Sequence, residues 1–239
     1  MTDIIIYGLQ RSGNHYFINW LLNNLSGNNF DKFKYFKWGK YGWGKTYKKD
    51  IIFINNDGYI FEEEDGNGKK KKNYYPEFKY NIISIENPDI NIFYPYLIKN
   101  RDSKRKLINI ILLRDVLNTL ASHFKRKPAL EFVPDVYLQK YLSLCKEIVN
   151  KENKLDNKLF VSYNKHVKDK RYRNAIAAKF STPNYDMISK LSNHSSFQYK
   201  GDYNLRYKKI KFPKESKKII LNPEIIKYTK ELFDMDIKI

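Results

Sequence analysis

Between Asp3 and Leu22 the chain reads DIIIYGLQRSGNHYFINWLL, a pattern that confines the possible fold more than any other stretch. Four consecutive apolar residues, Ile4 to Tyr7, suit a strand buried on both faces. Gly8 breaks the run, and from Asn14 onward Tyr16, Phe17, Trp20 and Leu21 recur at helical spacing. Strand, tight turn and helix therefore follow one another. Such a turn aims several backbone N–H groups and the positive end of the helix dipole at one point, which suits a phosphate or sulfate. Gly8 and Gly13 have the separation of a phosphate loop, but Asn14 and His15 stand where a nucleoside triphosphatase carries Lys and Ser or Thr. The usual lysine and the magnesium-holding hydroxyl are thus missing. Arg11, beside Ser12, supplies a cation inside the loop instead, placed to neutralise an anionic leaving group without a metal ion.

With 239 residues the chain has the size of one α/β domain and can bury a proper core. No apolar stretch is long enough for a membrane span, and Met1-Thr-Asp lacks the basic start of a signal peptide, so a soluble protein that stays in the cytoplasm is expected. One cysteine, Cys145, excludes an internal disulfide and fits a reducing compartment; its apolar, helical surroundings read as core. The formal charge of +19 invites a polyanion such as nucleic acid, anionic lipid or an acidic glycan. Abundant Lys, Asn, Ile and Tyr are also what AT-rich codons produce without selection for binding.

Gly27 to Tyr80 is rich in Lys, Tyr, Gly and Asn and reads as an insertion. Within it, Ile51 to Phe61 reads as two short strands around an Asn-Asp-Gly turn, and Glu62 to Lys72 as a solvated loop. Trp38 and Trp43 either form a stacking platform for a sugar or pack the insertion onto the domain. Asn81 to Glu86 is a second core strand, stopped by Asn87-Pro88. Ligands of doubly wound sheets gather outside the carboxyl ends of the strands, so Glu86 is expected to face the crevice of the Gly8–Gly13 loop as a general base; a helix cap or surface carboxylate is the alternative. Leu107 to Leu113 is a third buried strand and runs straight into Arg114; Ser122 follows eight residues later on the next helix. The spacing predicts a helix over Val133 to Asn150, a strand over Lys158 to Tyr163 and a closing helix over Asn222 to Asp234. His123, His166 and His194 have no Cys or carboxylate partners at ligand spacing, and no metal site is expected.

Two segments in this order resemble the sulfotransferases that use 3′-phosphoadenosine-5′-phosphosulfate (PAPS). Gly8 to Tyr16 is similar to their 5′-phosphosulfate loop, and Arg114 with Ser122 keeps the interval of their 3′-phosphate motif. The resemblance implies one α/β domain over residues 1–239, with a central mainly parallel sheet, helices on both sides and the insertion at about 27–80. It implies transfer of a sulfuryl group from PAPS to a hydroxyl or amine, leaving 3′-phosphoadenosine 5′-phosphate (PAP); a Glu rather than a His base, the basic surface and the aromatic insertion lean toward a glycan as the acceptor. The implied donor-binding residues are Gly8, Arg11, Ser12, Gly13, Asn14, His15, Tyr16, Arg114, Ser122, Tyr163, Ser196, Phe197 and Arg206. Arg11, Glu86 and His15 are the implied catalytic set, with Asn14 donating to the 5′-phosphate and Tyr16, Tyr163 and Phe197 enclosing adenine. The chain departs from the family pattern in two places. The Arg-Lys-Gly loop that clamps the 3′-phosphate is incomplete, with Lys200-Gly201 and Arg206 nearby, and Asn14-His15 replace two hydroxyl residues. A phosphate-loop kinase and a non-catalytic polyanion-binding protein on the same fold remain the competing readings, with nucleic acid not the expected partner.

Overall fold

Successive residues of the first strand, β1 (Thr2–Gly8), point to opposite faces of a sheet, and both faces are covered. Ile4 and Ile6 enter one buried apolar cluster, Ile5 and Tyr7 another, and all four are fully buried. Each such isoleucine stabilises the fold by about 1.5–3 kcal/mol relative to exposure. The computed structural model describes residues 1–10, 12–27, 44–48, 51–56, 78–125, 134–186, 207–208, 212 and 214–237, with 44–48 and 51–56 described as backbone alone.

The sheet has six strands: β1, β2 (Gly44–Lys48), β3 (Ile51–Asn56), β4 (Tyr80–Glu86), β5 (Lys106–Leu113) and β6 (Lys158–Ser162), in the order β2-β3-β4-β1-β5-β6. From β3 to β6 every neighbouring pair is parallel, and β2 alone is antiparallel, at the edge. α1 (Asn14–Leu25), α5 (Tyr163–Lys168) and α6 (Lys170–Lys179) cover one face. α2 (Ile90–Asn100), α3 (Val116–Lys125), α4 (Pro134–Ile148), α7 (Lys214–Ile220) and α8 (Pro223–Phe233) cover the other. This is the α/β architecture, mainly parallel and flanked on both sides, that the sequence predicts.

A buried carboxylate sets the register of the three central strands. Asp3, near the start of β1, accepts hydrogen bonds from Arg105 Nε at 2.6 Å and Asn81 Nδ2 at 3.1 Å, and Arg101 Nε lies 3.5 Å away. An unpaired charge there would be costly, so a register slip is opposed by the loss of these partners. With the amino ends pinned, Gly8 pairs with Glu86 on one side and with Leu112 on the other.

α4 and α8 fall where the apolar spacing predicts them, α8 capped by Asn222, whose Oδ1 accepts from Glu224 N at 2.9 Å. Cys145 is fully buried on α4, and burial pushes its thiol well up. Two expectations are corrected. Both edges of β3 are taken, by β2 and β4, so its antiparallel partner lies upstream rather than across the Asn-Asp-Gly turn. β6 ends at Ser162, whose side chain caps α5, so Tyr163 opens a helix instead of closing a strand. Among the described residues no helix is long and apolar enough to cross a membrane.

Candidate active site

Gly8, Glu86, Leu113 and Ser162 end four adjacent parallel strands on one edge of the sheet. After β1 the chain turns tightly, with Ser12 N donating to Leu9 O at 3.0 Å. Gly13 then enters α1 at φ 91°, in the left-handed region that a side chain disfavours. It also has no room for one, because a Cβ there would lie 2.1 Å from Tyr163 Cε2. Among the described residues no side chain caps α1, which leaves its first-turn N–H groups to be met from outside the helix. Ser12 is fully buried and its Oγ has no hydrogen-bond partner among the described residues. A buried hydroxyl beside a helix start is suited to donate to a phosphate oxygen, so this turn fits the 5′-phosphate end of a nucleotide.

Glu86 faces this turn, as its strand-end position predicts. Asn14 Nδ2 donates to Glu86 Oε1 at 2.9 Å and to Leu9 O at 3.2 Å. Both amide hydrogens of Asn14 are thereby committed inside the protein. Its side chain thereby holds Glu86 against the start of α1. Gly8 permits this arrangement, since a Cβ on it would come within 2.2 Å of Asn14 Oδ1. Asn87, at φ 53°, ties the two strand ends together: its N–H donates to Gly8 O at 2.9 Å, and its Oδ1 accepts from Gln10 N at 3.0 Å. Lys140 of α4 donates to Asn87 O at 2.9 Å.

Arg114 leaves β5 at the same edge and is 2% exposed. Its guanidinium carbon lies 5.1 Å from the centre of the Tyr163 ring, the ring against which Gly13 packs, and Tyr141 Oη donates to Arg114 O at 3.2 Å. Tyr163 thus sits between the turn after β1 and the arginine after β5. The next residue, Asp115, caps α3: its Oδ1 accepts from Asn118 N at 2.8 Å, and its Oδ2 from Asn118 Nδ2 at 2.9 Å and Asn164 Nδ2 at 2.7 Å. Ser122 lies further along α3 and is buried. Tyr207 N donates to Asn118 Oδ1 at 3.3 Å, bringing the chain back to α3 directly after Arg206 in sequence.

Gly8, Ser12, Gly13, Asn14, Glu86, Arg114 and Tyr163 are thus gathered at one sheet edge, as the sequence predicts. The aromatic pair of the site is buried. Tyr16 is 6% exposed, meeting Tyr163 edge-on at 5.7 Å and His166 at 5.6 Å. Tyr163 is 7% exposed. Both rings are thus largely covered by neighbouring protein at the start of α1. Burial also pushes the Tyr16 hydroxyl well above its ordinary range. Arg11, the His15 side chain, Ser196, Phe197, Lys200-Gly201 and Arg206 lie outside the described residues, as do Trp38 and Trp43. Sequence reading misses Asn87, Asp115, Asn164 and Lys140. Asp115 carried a signal, an Asp directly before an apolar helical run; for Asn87 the signal was an Asn–Pro pair closing a strand.

No family model matches the sequence, and no curated protein matches it. Among solved structures the chain is similar to the sulfotransferase domain from the Synechococcus PCC 7002 olefin synthase, with a TM-score of 0.55 at 12% identity. The match covers 100% of this chain and 96% of that one. The fold is therefore that of a sulfotransferase domain.

Proposed function

We propose that the chain is a PAPS-dependent sulfotransferase acting as one domain in the cytoplasm, with a glycan hydroxyl or amine as acceptor. The observation that carries this is the pairing of Gly8 with Glu86 at the sheet edge where Arg114 also emerges. A loop suited to one phosphate, a carboxylate and a buried arginine then lie at the same carboxyl edge of the sheet, on a sulfotransferase fold. On this reading Arg11, Ser12 Oγ and the N–H groups at the start of α1 hold the 5′-phosphate and the charge growing on its bridging oxygen as the S–O bond breaks. Glu86 takes the proton of the acceptor as the new S–O bond forms. Arg114 and Ser122, with Arg206, hold the 3′-phosphate. His15 assists at the loop, and Ser196 and Phe197 line the adenine side.

The test is transfer from PAPS labelled in its sulfuryl group to a panel of glycans, phenols and amines, run beside a thermal-shift comparison of PAP with magnesium-ATP. Labelled product together with stabilisation by PAP supports the reading. Stabilisation by magnesium-ATP alone points to a phosphate-loop kinase. Salt-sensitive heparin binding with neither transfer nor PAP stabilisation points to a non-catalytic polyanion binder.

A further inference from the structure

Gln10 is an exposed loop residue, yet both of its backbone groups are held from outside the loop. Its N–H donates to Asn87 Oδ1 at 3.0 Å, and its carbonyl lies 3.2 Å from His123 Nε2. A carbonyl oxygen only accepts, so the ring nitrogen facing it must carry a proton, and His123 is the donor. The two partners come from different elements, Asn87 from the end of β4 and His123 from α3. Each is fixed in turn. Asn87 is bound through its N–H to Gly8 O at 2.9 Å and through its carbonyl to Lys140 Nζ at 2.9 Å. The His123 ring packs edge-on against Tyr137 of α4, with centroids 5.7 Å apart.

Gln10 directly precedes Arg11, and Ser12 on the other side is tied to Leu9 O at 3.0 Å. A short turn whose flanking peptides are both anchored loses little further freedom when an anion binds, which is what preorganisation contributes to affinity. Asn is also the side chain best matched to this position. It tolerates φ 53°, where alanine is strained, and it still offers an acceptor, which glycine does not.

We propose that Asn87 and His123 are positioning residues for the turn between β1 and α1, a peptide clamp that presets the loop for the 5′-phosphate of the donor. The proposal rests on the proposed function for the identity of the anion, but not for the clamp itself. His123→Phe keeps the ring against Tyr137 and removes the donor; His123→Gln restores a donor of similar reach. Asn87→Gly keeps the backbone conformation and removes the acceptor; Asn87→Asp restores the acceptor.

The experiment measures deuterium uptake in the peptide containing Gln10 and PAP affinity by calorimetry, with thermal midpoints confirming that each variant folds. The clamp predicts faster uptake in His123→Phe and Asn87→Gly, a loss of PAP affinity of about threefold to tenfold in each, and recovery of both readouts in His123→Gln and Asn87→Asp. Uptake unchanged in both loss variants overturns the clamp. Faster uptake with undiminished PAP affinity overturns its role in preparing the site. A wild type that does not bind PAP at all sinks the proposed function instead, and the uptake comparison then decides the clamp alone.

Discussion

Asn14 Nδ2 donates to Glu86 Oε1 at 2.9 Å, so the first residue of α1 holds the last residue of β4. The two are far apart in sequence and meet because β1 and β4 are parallel neighbours in a register that sets Gly8 beside Glu86. One amide thus links the anion-type turn to the carboxylate proposed to take a proton.

Glu86→Gln tests that assignment with little disturbance of the fold, because the amide oxygen still accepts from Asn14. An amide cannot take up the proton of the acceptor, so the transfer rate with labelled PAPS should fall by about 10²–10⁴-fold. PAP affinity should stay within about twofold of wild type, since the carboxylate has no part in holding the nucleotide. A variant retaining more than roughly a tenth of the rate would mean that another group accepts the proton.

Gly13 and Gly27 separate backbone strain from steric exclusion. Both have positive φ, 91° and 66°, but a Cβ on Gly27 meets nothing nearer than Tyr185 Oη at 4.0 Å, whereas on Gly13 it lands 2.1 Å from the Tyr163 ring. Gly27→Ala should cost about 1–2 kcal/mol, the left-handed penalty alone. Gly13→Ala adds overpacking of about 1–3 kcal/mol and must push Tyr163 toward Arg114. Urea unfolding of the two variants side by side reads the difference, and equal losses would show that Tyr163 yields freely.

His166 predicts a pH dependence of stability. The ring is fully buried, with Trp20, Phe17 and Tyr16 edge-on around it at centroid distances of 4.6, 5.2 and 5.6 Å, and among the described residues neither nitrogen has a hydrogen-bond partner. Burial, and secondarily Arg173, holds its pKa down at about 3, from an ordinary 6.5. Above pH 6.5 the imidazole is neutral in both folded and unfolded chains; between 6.5 and 3 only the unfolded chain binds the proton, so stability falls with pH across that window and levels off below it. From pH 7 to pH 5 the loss should be on the order of 2 kcal/mol. His166→Phe should flatten that slope, whatever it does to stability at pH 7. An identical slope in the variant would assign the acid sensitivity to other groups, among them Asp186, which Arg173 holds below the usual carboxylate range.

What was legible in the sequence is what a buried pattern can announce. Ile4 to Tyr7 and Leu107 to Leu113 are buried runs because parallel strands are covered on both faces, and the ends of these strands and of Asn81 to Glu86 located the turn, Arg114 and Glu86. α2 escaped assignment although Ile90, Phe93, Tyr94 and Leu97 form a helical stripe, because Pro95 argues against a helix; the proline sits on the exposed side, where a missing N–H costs least. α6 escaped because its buried apolar stripe is short, Ile176 and Ala177, and shares that face with Arg173, bound to Asp186 at 2.5 Å and to His166 O at 2.7 Å. The polar linkages, Asn14 to Glu86 and Asn87 to Gln10, carry no periodic signal. They depend on which strand ends become neighbours, which only the sheet order decides.

Arg114 gives the sharpest test of the nucleotide assignment, because packing and phosphate binding predict different selectivity. Its guanidinium lies over Tyr163, which in turn supports Gly13, so removing it could disturb the turn as well as any phosphate it holds. Arg114→Gln retains part of the stem over the ring while losing the charge. If Arg114 meets the 3′-phosphate, the variant should bind PAP about 10–100-fold more weakly, the loss expected for charge-assisted hydrogen bonds. Adenosine 5′-phosphate, which has no group for Arg114 to hold, should then bind the variant and the wild type within about threefold of each other. If the arginine serves only to pack Tyr163 beneath the turn, both nucleotides share the 5′-phosphate and should weaken together. Calorimetric titration of both nucleotides into both proteins decides between the two, and parallel losses would remove the 3′-phosphate from the site of Arg114 and with it the main reason for preferring PAPS to other adenine nucleotides.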